Sequence, residues 1–73
     1  MADNGTAEQV WPEFDRALEA YKALQRDLAV LRKVRDDDER RGQLAPALTA
    51  CVLSTLHLQE ILTSALVAAL AED

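Results

Sequence analysis

A chain of 73 residues with a formal net charge of −5 makes one domain at most, and its acidity sets it against DNA, RNA and anionic lipid. Its single cysteine, Cys51, excludes an internal disulfide, and with a single histidine, His57, it cannot supply the four ligands of a closed zinc site. Small chains usually draw their missing stability from a disulfide, a metal or a partner chain, so association is the route left here.

Residues 1–11 read as a flexible, polar N-terminal tail carrying Gly5. No basic segment followed by an apolar run marks a signal peptide, so the expected location is the cytoplasm, where an unpaired thiol stays reduced. Thr6-Ala7-Glu8-Gln9 fits a capping box. Pro12 is placed better at the first position of the main helix, where its missing N–H costs nothing.

The first helix is expected over about 12–36. Its apolar positions Phe14, Ala17, Tyr21, Leu24, Leu28 and Leu31 are separated by steps of 3, 4, 3, 4 and 3. That is the repeat of a coiled-coil seam, and it assigns these six residues to the core of a helix pair. Charges fill the opposite face, with Glu13–Arg16 and Glu19–Lys22 at helical spacing and of opposite sign.

The seam ends at Arg35, and Asp36-Asp37-Asp38-Glu39-Arg40-Arg41-Gly42 follows. Two readings compete. In one the helix continues to Arg41 with Gly42 beyond its end; in the other it stops near Asp36 and an acidic connector runs over about 37–44. Successive Asp residues oppose the dipole at a helix C-terminus, which favours the stop. Calcium binding would need spaced oxygen ligands and a turn glycine, which this run lacks.

A second helix, about 45–71, opens with Pro46 in its first turn. All eight Lys and Arg residues lie between Arg16 and Arg41, and from Gly42 onward only Glu60, Glu72 and Asp73 are charged. Leu48, Val52, Leu62, Leu66 and Leu70 make one stripe, read as the partner of the first helix. Leu53, Leu56 and Val67 lie to one side, Cys51, Leu58 and Ala65 to the other, and Ile61 further round. The apolar arc exceeds half the circumference, more than one neighbouring helix covers, so it marks an interaction surface. Leu53, Leu56, Val67, Leu58 and Ile61 are the partner-binding candidates on this helix, with Trp11, just before the first helix, as an aromatic anchor. His57, Gln59 and Glu60 would fall near the centre of a bilayer-spanning segment, which argues against membrane insertion.

Two helices of matching length joined by a short connector predict an all-α, antiparallel two-helix hairpin, coiled-coil-like, that associates into a helical bundle. Catalysis is not expected. Cys51 and His57, six residues apart, lie on different faces of one helix and cannot act as a nucleophile–base pair. No phosphate loop, metal spacing or one-sided basic stripe is present, so no cofactor or nucleic-acid partner is expected either.

The core segments ALEAYKALQRDLAVLRK and LAPALTACVLSTLHLQEILTSALVAAL, joined by a polar connector, give a layout over about residues 12–71. In size, acidity and order it resembles the small co-chaperones of bacterial type III secretion systems. That resemblance implies a cytoplasmic protein that pairs with a larger helical-repeat chaperone to keep a needle subunit soluble before export. The alternative is a self-assembling helical-bundle module that serves as an oligomerisation or adaptor unit. A peripheral membrane helix is the weakest reading, since the apolar helix lacks flanking basic residues.

Overall fold

The structure, a computed structural model, describes residues 4–71, with side-chain surroundings from Val10 onward. The chain is all-α. Helix α1 spans Asn4–Asp36, a 3₁₀ segment spans Asp38–Gln43, and helix α2 spans Leu44–Ala71. No strand occurs among the described residues. The two helices pack along their length in a body 59 × 14 × 11 Å.

Helix α1 starts earlier than its sequence suggests, and Pro12 lies inside it rather than at its first position. A proline removes one N–H, here the one that would reach the Glu8 carbonyl, at about 3 kcal/mol in a helix interior. Every residue after it keeps its own bond four residues back, so the helix passes through. The side chains of Thr6 to Gln9, and the tail at residues 1–3, lie outside the described residues.

The acidic run works as a cap. Asp37 has extended backbone, and its side chain accepts from the Glu39 N–H at 3.0 Å. Asp37 also pairs with Arg40, and Asp38 with Arg41, both at 3.2 Å. The run that would oppose the dipole at the end of α1 thus heads the next helical segment, where acidic groups are favoured. Arg35 Nε donates to Asp36 Oδ1 at 2.8 Å. That bond holds the Asp36 carboxyl below its ordinary range and raises the Arg35 guanidinium. Gly42 keeps a negative φ, and a Cβ placed on it would meet nothing within 4 Å. It is therefore not the left-handed residue of a helix terminus.

The pairing between helices runs in opposite order along the two segments. Glu13 and Arg16 lie beside Ser64 and Ala68. Ala17 and Ala20 pack with Ile61, and Leu58 joins them. The Ser54 hydroxyl donates to Asp27 Oδ2, and Val34 lies beside Leu44. Buried or half-buried positions on α1 are Val10, Glu13, Ala17, Ala20, Ala23, Leu24, Asp27, Leu31 and Val34. On α2 they are Ala47, Ala50, Cys51, Ser54, Leu58, Ile61, Ala65 and Ala68.

This seam corrects most of the expected core. Ala17, Leu24 and Leu31 lie in it, whereas Phe14, Tyr21 and Leu28 are 46%, 49% and 47% exposed. On α2 the whole expected stripe is turned out: Leu48, Val52, Leu62, Leu66 and Leu70 are all at least 45% exposed. Leu58 and Ile61, expected to face a partner, instead pack against α1. The physical reason is volume matching. Ile61 and Leu58 sit over Ala17 and Ala20, and nearer the connector Leu31 and Val34 share the seam with the small Ala47, Ala50 and Cys51. Large side chains meet small ones, which lets the backbones approach closely. The alternative seam would set Phe14 and Tyr21 against leucines and hold the helices apart.

Candidate protein-interaction surface

Three surfaces remain outside the seam, and helical spacing assigns each residue to one of them. The first is a polar edge. Arg16 and Glu13, an ion pair at 2.9 Å, share a shallow depression with His57, Glu60, Ile61 and Ser64. This neighbourhood fixes the geometry, because Arg16 on α1 and His57 and Ser64 on α2 flank the seam on the same side.

The opposite edge follows. Phe14, Tyr21 and Leu28 flank the seam on the other side of α1, with Trp11 and Leu18 one row further out. On α2 the corresponding positions are Leu48, Thr55 and Leu62, with Val52, Gln59 and Leu66 in the outer row. A shallow, apolar groove lined by Thr55, Leu58, Gln59, Leu62, Thr63 and Leu66 runs along this edge. Trp11 is 63% exposed and packs edge-on against Phe14, with ring centroids 6.1 Å apart. The residues displaced from the expected core, Leu70 excepted, therefore lie on one face to which both helices contribute.

The third surface is the back of α2, facing away from α1. It carries Leu53, Leu56, Val67 and Leu70, at 60%, 50%, 61% and 61% exposure. Glu60 is the one charge among them. Among the described residues none covers this strip, to which Leu53, Leu56 and Val67 all belong.

Sequence reasoning missed the Asp27–Ser54 pair. Asp27 interrupts the apolar repeat of α1, and its level with Ser54 depends on how the helices are paired. It is a half-buried polar link inside an apolar seam, of the kind that fixes register in helix pairs. Thr49 and Thr55 turn their hydroxyls back onto the carbonyls of Ala45 and Cys51, at 2.8 and 2.7 Å, which lets these polar residues lie on an apolar helix.

Cys51 is a buried free thiol, and His57 lies on the polar edge. Among the described residues, no three His, Cys, Asp or Glu side chains are grouped to hold a metal ion. The segment Asp38–Ala71 is long and apolar enough to cross a membrane by length and composition. No family model matches this chain, and neither a curated protein nor a solved structure matches it.

Proposed function

We propose that the helix pair is an antiparallel, coiled-coil-like hairpin that acts by binding another protein through the back of α2. The observation that carries this reading is the exposure of Leu53, Leu56 and Val67, each at least 50% open to solvent on a helix face that none of the described residues covers. Apolar surface of this extent on a small soluble chain marks an interaction site. An amphipathic groove in a helical partner is the natural complement, with the three side chains as spaced anchors. The absence of charge on this strip, apart from Glu60, favours burial over contact with nucleic acid or a lipid headgroup.

The specific role we propose is that of a bacterial, cytoplasmic co-chaperone. The hairpin would pair with a helical-repeat chaperone and, with it, keep a type III secretion needle subunit soluble. Support comes from the layout of the sequence together with an outward apolar face of the kind such a heterodimer requires. The test is co-expression with a helical-repeat chaperone and needle subunit of the same secretion system, followed by size-exclusion chromatography. Co-elution of all three, lost in Leu53→Asp, is the expected result. Elution of this chain apart from the other two would remove the co-chaperone role. Retention of the complex by Leu53→Asp would move the docking site off the back of α2.

A further inference from the structure

We infer that the apolar edge shared by the two helices, distinct from the back of α2, is closed by a second copy of this chain, which packs face to face into an antiparallel four-helix bundle. This rests on the antiparallel hairpin geometry proposed above, and not on the identity of any partner bound at Leu53.

The first support is area. The edge carries three aromatic side chains and half a dozen Leu and Val, each roughly half exposed. Buried together, side chains of this size and exposure would contribute several hundred Å² per copy, on the order of what a specific interface takes from each partner.

The second support is self-complementarity. A two-fold interface sets each residue against its mirror position about a centre. Phe14 and Leu28 lie seven residues to either side of Tyr21. A two-fold axis at Tyr21 therefore sets Phe14 of one copy against Leu28 of the other, twice. Ala20 packs with Ile61, so Tyr21 lies level with the middle of α2. On α2, Val52 and Leu48 lie to one side of that axis and Leu62 and Leu66 to the other, which brings apolar surface to both halves of the interface.

The third support is charge. The row that holds Trp11 and Leu18 continues to Arg32 at the connector end. In the antiparallel arrangement Arg32 of one copy reaches Trp11 of the other, where a guanidinium is attracted to the indole face. The polar edge has none of these features, because Glu13, Arg16, His57 and Glu60 line it.

The experiment is sedimentation equilibrium of the full chain over a micromolar dilution series, with helicity measured by circular dichroism on the same samples. Wild type should fit a monomer–dimer equilibrium. Tyr21→Lys places two like charges at the axis and should weaken dimerisation by about a hundredfold or more, as like-charge juxtaposition does in interfaces. It should stay helical, because Tyr21 is outside the seam. Leu53→Asp should dimerise like wild type. A wild-type mass that is monomeric throughout overturns the inference, and so does a dimer that Tyr21→Lys leaves intact. Should Tyr21→Lys lose helicity, Tyr21→Ala decides instead: unchanged dimerisation overturns the inference and weakened dimerisation supports it. Loss of the dimer in Leu53→Asp alone would show that the back of α2 is the self-contact, which overturns this inference while leaving Leu53 as a binding residue.

Discussion

Ile61→Ala and Leu53→Ala delete the same number of carbon atoms from the same helix, and they differ only in which way the side chain faces. Ile61 is 6% exposed against Ala17 and Ala20, whereas Leu53 is 60% exposed. Losing three buried carbons at about 0.8 kcal/mol each gives about 2.4 kcal/mol for Ile61. A residual cavity adds to this, and the better helix propensity of Ala returns a few tenths. The expected loss is about 2–3 kcal/mol. Leu53 keeps more than half its surface in water already, so the same deletion should cost about 0.5–1 kcal/mol. A domain of this size has on the order of 4–11 kcal/mol in total, so the first change is large and the second modest. Urea unfolding followed by circular dichroism, at one fixed protein concentration, measures both. Equal losses, or a larger loss at Leu53, would mean that α2 is rotated from the orientation described and that the seam is wrongly assigned.

Leu24→Asp should unfold the chain, because it places a charge in the seam one turn from Asp27; a loss on the order of 3–5 kcal/mol is expected, read as collapse of the helical signal. Ser54→Ala removes a donor from the half-buried Asp27 carboxylate and should cost about 1–2 kcal/mol in urea unfolding. The double change Asp27→Leu with Ser54→Ala should restore that loss. Pro12→Ala should stabilise α1 by about 1 kcal/mol or more and raise its helicity, since the backbone there is already helical. Gly42→Ala should raise the thermal midpoint, with a gain of about 0.4–1 kcal/mol, because the position has negative φ and open space for a methyl group.

The co-chaperone role and the bundle address different surfaces, and both can hold in one protein. A dimer closed at Tyr21 leaves Leu53, Leu56 and Val67 open. The larger aromatic groups would then serve self-association, and the smaller aliphatic strip would serve a partner. The short connector keeps the two surfaces in fixed relation. Asp37 caps the segment that leads into α2, and the Asp27–Ser54 bond opposes sliding of one helix along the other.

The sequence by itself determined the helical class. The 3.5-residue repeat in α1, the apolar run of α2 and the Asp-rich break between them are local signals, and helix formation is a local event. It also determined that apolar surface would be left over, because counting the apolar arc of α2 needs no knowledge of packing. Which stripe faces inward was decided only by the tertiary structure. Ala17, Leu24 and Leu31 belong to two possible seams, one completed by Phe14, Tyr21 and Leu28 and the other by Ala20, Asp27 and Val34. Hydrophobicity alone favours the first. Close approach of two backbones favours the second, since small residues on one helix must meet large ones on the other at the same level. That condition involves residues on different helices, such as Asp27 and Ser54, 27 positions apart, and periodicity within either helix carries no information about it.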